Sequence, residues 1–360
     1  MGKVLIVTNH SYMLYRFRKE LIERLLQDYE VVVSTPFVGH EENLKAMGCK
    51  CIETDVDRRG VNPKTDLKLM DRYRKILDTE KPDFVITYSI KPNIYMGMLC
   101  WLKHIPYYVN VQGLGTAFQE PQMAEIVTIL YRVALTGVRT VFFENDSNAQ
   151  EFVQRHIVPQ EKIAVLPGAG INLNSYAYSP YPKNAARHFL YLGRIMKEKG
   201  MDEWFEAAVR LKKEYGDRVV FDIVGFFEDE YKELVEKLQK EQVIEFHGFD
   251  TEPRPYYKMC NCVVLPSYHE GLSNVLLEAA AMGRPVLTSD IPGCREAVVD
   301  RETGYLCKAK DAEDLYQKMK IIVESTDGEL EEMGRRARFH VKQYFDKKIV
   351  VEQTVSKLHA

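Results

Sequence analysis

VVLPSYHEGLSNVLLEAAAMGRPVLTS, residues 263–289, runs from a short apolar strand through a polar turn into an Ala-rich helix and out again as a second strand. The turn, Ser267 to Ser273, ends where Ser273 or Asn274 caps a helix, so backbone N–H groups and the positive end of the helix dipole converge there. Such an end attracts phosphate. Glu270 lies in the turn and Glu278 further along the helix, and two acids beside a phosphate repel it unless they face hydroxyls. Ionised carboxylates only accept hydrogen bonds, so the pair suits a ligand carrying sugar hydroxyls on both sides of a phosphate. A nucleotide sugar has that shape. Taken singly, Glu270 also reads as a solvated turn residue and Glu278 as a surface position.

The same strand-helix alternation extends outward in both directions. FLYLGRI (189–195), a helix over about 200–215, VVFDIVG (219–225), a charged helix and VIEFHG (243–248) precede the opening stretch. Further back, VLIVTN (4–9), VVVST (31–35), CIET (51–54), FVITYS (84–89), YYVNV (107–111) and TVFFE (140–144) read as buried parallel strands. Helical spacing joins Phe17, Leu21, Leu25 and Leu26, and likewise Leu67, Met70, Tyr73 and Leu77. The prediction is two doubly wound α/β domains. PGAGINLNSYAYSPYPKNAAR (167–187) lacks periodicity and reads as the connection. The expected organisation is therefore a domain over 1–168, a linker over 169–186 and a second domain over 187–345, with a terminal helix over 346–360.

A chain of 360 residues is long enough for two domains, each with its own core. With 46% hydrophobic and 28% charged residues it is a globular composition, and a net charge of −3 argues against nucleic acid as the main partner. The first residues lack a charged n-region followed by a long apolar core, so the expected location is cytoplasmic. The most apolar candidate span, 93–111, is broken by Lys103, His104 and Pro106, which leaves peripheral attachment as the only membrane mode. Seven scattered cysteines suit reduced thiols. Two Cys-x-Cys pairs, at 49/51 and 260/262, lie in strand-like runs ill suited to a zinc site.

In doubly wound sheets, ligands bind beyond the carboxyl ends of the strands. Past the first strand, Tyr15, Arg16 and Arg18 open a helix; Arg18 reads either as a surface charge or as a ligand contact. Lys91, in SIKPNIYMG, precedes a proline and a helix start, a place for an anion, a sugar hydroxyl or simply solvent. Gly113 and Gly115, in NVQGLGTAF, allow close backbone approach. In the second half Arg194 and Lys199 sit in GRIMKEKG, past a strand and before a helix. Gly225 and Gly248 end strands, either as turns or to admit a nucleotide base. Asp55-Val56-Asp57, followed by Arg58 and Arg59, imitates a metal-holding Asp-x-Asp but reads as a paired turn. His247 is a lone core or loop histidine.

EGLSNVLLEAAAMGRPVLTS and LGRIMKEKG strongly resemble the signatures of the family-4 retaining glycosyltransferases, and the resemblance covers essentially the whole chain. It implies the GT-B fold, two Rossmann-like domains facing a central cleft, with the last helix returning to the first domain. It assigns Arg194 and Lys199 to the donor diphosphate, Glu270 to the donor sugar, Glu278 to ribose, and Gly271, Leu272, Ser273 and Asn274 to donor contacts. With two cations and a helix end, no cofactor or metal is required. Gln112 stands where many members carry a histidine, and glutamine does not carry a proton at neutral pH. YSIKPNIYMG and VQGLGTAF look closest to bacterial enzymes that extend lipid-linked oligosaccharides for capsule, O-antigen or glycoprotein glycans. The expected reaction moves a hexose or N-acetylhexosamine from a UDP-sugar to an undecaprenyl-diphosphate-linked acceptor. Tyr15, Arg16, Arg18, Lys91 and Gly113 fall on the acceptor side, and Arg16, Arg18, Lys19, Arg72, Arg74 and Lys75 are candidates for the inner membrane face. A UDP-sugar 2-epimerase and a non-catalytic two-domain binding protein are the alternatives.

Overall fold

The structure is a computed structural model and describes residues 1–57, 62–115, 118 and 120–358. The chain forms two compact units, Met1–Ala169 with Lys348–Ala360, and Gly170–Lys347.

In the first unit β1 (Gly2–Val7), β2 (Tyr29–Thr35), β3 (Lys50–Glu53), β4 (Phe84–Tyr88), β5 (Tyr107–Val111), β6 (Thr140–Phe143) and β7 (Ile163–Val165) pair in parallel, in the order β3-β2-β1-β4-β5-β6-β7. Successive strand residues feed opposite faces. Val4, Ile6, Val31, Val33 and Phe84 pack with α1 (Ser11–Leu25), whereas Leu5, Val7, Val32 and Val85 pack with α3 (Pro63–Glu80), α4 (Gly97–Leu102) and α5 (Pro121–Ala134). Helices on both faces explain why these strands are apolar throughout, each buried aliphatic side chain contributing about 1.5–3 kcal/mol. The row expected on α3 is half right: Tyr73 and Leu77 are buried, but Leu67 is 67% exposed and Leu69 and Ile76 take the inner face. α2 (Glu41–Ala46) and α6 (Asp146–Gln154) complete this unit's helices before the chain crosses over.

In the second unit β8 (Arg187–Leu192), β9 (Val219–Val224), β10 (Glu245–Phe246), β11 (Cys262–Leu265), β12 (Val286–Ser289) and β13 (Gly304–Cys307) form a parallel sheet ordered β10-β9-β8-β11-β12-β13. Its helices are α7 (Met201–Tyr215), α8 (Lys232–Lys240), α9 (Arg254–Met259), α10 (Asn274–Ala281), α11 (Ala312–Glu324) and α12 (Asp327–Tyr344). α12 starts earlier than its apolar pattern suggests because Thr326 and Glu329 form a reciprocal capping box. The stretch expected as a linker packs on this unit, with Ile171 and Tyr181 in its core. Arg284, fully buried, fastens it by donating from Nη2 to the carbonyls of Ser179 (3.1 Å) and Pro180 (2.8 Å). The incoming and outgoing segments meet at Ile171, which donates to Phe345 O (2.7 Å) and accepts from Lys347 N (3.0 Å). α13 (Lys347–Leu358) then lays Val351, Val355 and Leu358 into the first unit's core, where Tyr108 donates to Leu358 O at 2.6 Å.

Strand order reverses between β1 and β4 in one unit and between β8 and β11 in the other. Loops diverge from such a switch point and leave a crevice at the carboxyl ends of the two strands.

Candidate active site

The motifs GRIMKEKG and PSYHEGLS follow β8 and β11, the two neighbours at the second unit's switch point. They come close because a glycine permits it. At Gly200 (φ +70°) a Cβ would stand 2.0 Å from Pro266 O. Tyr268 N donates to Glu198 O at 2.9 Å, and its hydroxyl to Glu203 at 2.7 Å, so the loops are tied on both sides of the glycine. Lys199 Nζ then reaches Glu270 Oε1 at 2.5 Å, each side chain only 14% exposed. Ser267 Oγ donates to the same oxygen at 2.8 Å. Among the described residues Glu270 Oε2 is thereby left to accept from a ligand.

The loop after β12 closes the other side. At Gly293 (φ +87°) a Cβ would lie 2.4 Å from Gly271 O and 2.6 Å from Glu270 O, and Gly293 O accepts from Ser273 N at 2.9 Å. Ser273 is the residue before α10, but its side chain makes no capping bond. The expected cap is therefore made by neither hydroxyl nor amide at Ser273, and the first-turn N–H groups, which no helix carbonyl reaches, face the end of the turn. Leu272 is 5% exposed and packs in the core, so its side chain is not open to a ligand. Asn274 is the first helical residue. Glu278 is no surface residue: it is 3% exposed and accepts from Tyr257 Oη at 2.9 Å.

Arg194 is the more exposed cation of the pair, its side chain 46% accessible and 3.7 Å from Glu228. Its carbonyl accepts from the buried Tyr191 hydroxyl at 2.5 Å, which sets the backbone. Three glycines line up past neighbouring strands: Gly193 N donates to Val224 O, and Gly225 N to Gly248 O. Gly225 has a packing reason of its own, since a Cβ there would fall 1.8 Å from Gly193 O. Gly248 adopts φ +73° with open space where a side chain would project.

His247 is not isolated. Asp222, 4% exposed, has His247 Nε2 at 2.8 Å from one oxygen and His188 Nδ1 at 3.1 Å from the other. With Glu245, Asp222 and His247 form a group with metal-ligand spacing among the described residues, but the carboxylate is already held by both imidazoles. The seven cysteines are free, and burial pushes the Cys260 and Cys307 thiols up to about 12.

The first unit's switch point is closed by Ser89 Oγ donating to Asn9 Oδ1 at 2.7 Å. Around it the expected residues behave differently. Arg18 is not a surface charge: it is 6% exposed, its Nη2 lies 2.8 Å from Glu144 Oε1, and Nη1 reaches Gly168 O at 3.3 Å. A buried guanidinium needs such a partner, and this one is committed to holding helix, strand end and crossover together. Lys91 is likewise engaged, 2.7 Å from Asp66 Oδ1. Tyr15 stacks on His40 at 4.7 Å between ring centroids, and Arg16 donates to Tyr12 Oη at 2.9 Å. Gln112 and Gly113, half-buried, directly follow β5.

Most of the cations expected to meet a membrane lie beside acids. Lys19 lies 3.6 Å from Glu23, Arg72 3.8 Å from Asp55, and Arg74 and Lys75 each 2.7 Å from Asp71. Asp55 is 87% exposed and Arg58 and Arg59 lie outside the described residues. No helix among the described residues is long and apolar enough to cross a membrane.

Sequence reading missed Ser267, Tyr268, Glu203 and Gly293. The Gly293 turn had a visible signal in Pro292-Gly293, but its partner, the Glu270 carbonyl, did not.

Residues 181–340 match the family described as glycosyl transferases group 1, and residues 3–145 match glycosyl transferase 4-like. Among curated relatives, the N,N'-diacetylbacillosaminyl-diphospho-undecaprenol alpha-1,3-N-acetylgalactosaminyltransferase of Campylobacter jejuni is 28% identical, covering 94% of each chain. The capsular polysaccharide biosynthesis glycosyltransferase CapM of Staphylococcus aureus is 23% identical over 98% of this chain and 95% of its own. Among solved structures, Anabaena HepE in complex with UDP and glucose superposes with a TM-score of 0.83 at 16% identity, covering 100% of both chains. The two family matches fall one on each half and the relatives span both, so the chain belongs to the GT-B glycosyltransferases that join a glycosyltransferase 4-like half to a group 1 half.

Proposed function

We propose that this glycosyltransferase moves a hexose or N-acetylhexosamine from a UDP-sugar to an undecaprenyl-diphosphate-linked saccharide in bacterial surface-glycan synthesis, with retention at the anomeric carbon. The observation that carries the donor half is the meeting of Lys199, Glu270 and the start of α10 at one switch point. Arg194 and Lys199 neutralise charge on the leaving diphosphate, the backbone at Gly271–Asn274 holds its oxygens, Glu270 Oε2 accepts from the donor sugar and Glu278 from ribose. Preorganised cations aimed where charge develops lower the barrier most, and Arg and Lys do so with different geometry. No metal is required in this reading.

In the step itself, the acceptor hydroxyl oxygen bonds to the anomeric carbon as the bond from that carbon to the β-phosphate oxygen breaks. The hydroxyl proton passes to the departing phosphate oxygen, so no protein nucleophile is needed. Gln112 contributes a hydrogen bond and not a proton. Tyr15, Arg16, Lys91 and Gly113 are assigned to the acceptor, Lys91 by exchanging Asp66 for it. Arg18 belongs to the same assignment, its Nη2 held by Glu144 as Lys91 is held by Asp66. The acceptor class is supported by the printed activity of the Campylobacter relative, and UDP by the ligand of the Anabaena structure.

The test is a panel of UDP-sugars incubated with and without a synthetic undecaprenyl-diphosphate-linked saccharide, followed by chromatography and NMR of the new linkage. Acceptor-dependent UDP release with an α-linked product is expected. Conversion of the UDP-sugar to an epimer without acceptor would assign the chain to an isomerase instead.

A further inference from the structure

Five of the large exposed apolar side chains of the first unit lie on α5 and at the end of α4. α5 buries Ala124, Val127, Thr128, Tyr131 and Ala134 and turns Ile126, Ile129 and Val133 outward, 52%, 53% and 43% exposed. Steps of three and four place these on one helical row. Trp101 and Leu102, 38% and 64% exposed, extend the apolar surface at the C-terminal end of α5. Trp101 is fixed there by Gly137, where a Cβ would meet its Cδ1 at 2.7 Å.

Cations surround that end. Lys103 follows the tryptophan-leucine pair, Arg139 is exposed just past the helix, and Arg132 is anchored on Arg155 O at 2.5 Å. Lys162 reaches Thr136 O at 3.4 Å. The acids at that end are Asp78, Glu151 and Glu161, of which Asp78 and Glu151 are paired with Lys103 and Arg155; the exposed Glu120 and Glu125 lie at the other end of α5. A row of branched aliphatics with an indole at its end and surplus cations beside it matches a helix lying in the headgroup layer of an anionic bilayer.

We propose that the outer face of α5, with Trp101 and Leu102, is the surface by which this protein rests on an anionic membrane. Ile126, Ile129 and Val133 enter the acyl boundary, Trp101 sits at the interface, and Arg132, Arg139 and Lys162 face lipid phosphates. The proposal rests on the reading of the acceptor as lipid-linked: the polyprenyl chain keeps the acceptor diphosphate at the bilayer surface, where an enzyme that stays bound meets it repeatedly. It places the contact elsewhere than the basic clusters on α1 and α3, where Lys19, Arg74 and Lys75 lie beside acids.

The experiment uses the full chain with vesicles of phosphatidylglycerol and phosphatidylethanolamine, and with phosphatidylcholine alone. The chain has two tryptophans and Trp204 is fully buried, so a change in emission on adding vesicles reports Trp101 over a constant Trp204 background. A blue shift and quenching by brominated lipid are expected with anionic vesicles only. The triple variant I126Q/I129Q/V133Q keeps good helix formers and is expected to lower the floated fraction about tenfold while leaving UDP release to a short-chain, water-soluble acceptor unchanged. Unquenched Trp101, equal flotation of the variant, or a dimer in light scattering that the variant dissolves without any vesicle effect would each overturn the proposal. The two readings fail separately: flotation through α5 without transfer to any lipid-linked acceptor removes the functional reading, and transfer without flotation removes the surface.

Discussion

Lys199 Nζ and Glu270 Oε1 lie 2.5 Å apart, joining the loops after β8 and β11 across a strand-order reversal, with each side chain 86% hidden from solvent by its 14% exposure. Removing either partner leaves a largely buried charge uncompensated, at a cost of about 3 kcal/mol. Lys199→Ala is therefore expected to lose stability in urea unfolding and, separately, about a hundredfold in transfer rate. The double variant K199A/E270A should recover much of the stability and none of the rate. A single K199A variant with transfer within threefold of the parent would remove Lys199 from the donor site.

Gly225 and Gly248 are predicted to differ. Gly225→Ala forces a methyl into the Gly193 carbonyl, 1.8 Å away, and is expected to cost about 3 kcal/mol or to prevent folding. Gly248→Ala meets no atom and bears only the left-handed backbone, about 1–2 kcal/mol. Denaturant midpoints of the two variants compare them directly, and equal losses would contradict the packing argument.

Thiol labelling separates the cysteines. Cys100, Cys260, Cys262, Cys294 and Cys307 are buried with their thiols pushed up by desolvation, and Cys49 is held at about 12 for the same reason. Cys51 alone among them is half-buried; desolvation raises its thiol as well, so access and not acidity sets it apart. Native protein at pH 8 should show one fast-reacting thiol, lost in Cys51→Ser, and seven in denaturant.

Acid should weaken the first unit partly through Glu80. Burial alone would raise its carboxyl, but Lys50 at 2.8 Å and Lys3 at 3.3 Å outweigh burial and hold it below the ordinary 4.5. A carboxyl depressed on folding contributes stability that is complete above its unfolded value and lost as pH falls through the folded one. Unfolding followed from pH 6 down to pH 2 should lose stability less steeply below about pH 4.5 in Glu80→Gln than in the parent. Superimposable profiles would show that Glu80 is not part of the acid response.

Much of the proposed donor site could be placed on the fold from sequence because its signals are local. The apolar run at 263–265, the polar turn, the Ala-rich helix and the charged turn GRIMKEKG each report on a few consecutive residues, and strand-helix alternation implies a doubly wound sheet with loops at its carboxyl edge. The departures are equally specific. Leu67 fits a helical row yet faces solvent, because Leu69 and Ile76 offer a competing row and only the sheet beneath selects between them.

Arg18 shows where local reading stops. Its sequence neighbourhood is that of a surface cation, and the acid that buries it stands 126 residues away. The apolar row on α5 is the same problem reversed: periodicity marks an amphipathic helix, but which apolar side chains remain uncovered depends on what packs against it.

From the sequence alone come the element types, the two-sheet class and the family signature of the second half, since periodicity, turn residues and clustered charge act over a few residues. Which charges are spent on structure, which glycines admit a neighbouring loop and which apolar face stays open were settled by tertiary packing. Those properties belong to pairs of residues far apart in the chain, and a pair has no signature until the fold brings its members within a few ångströms.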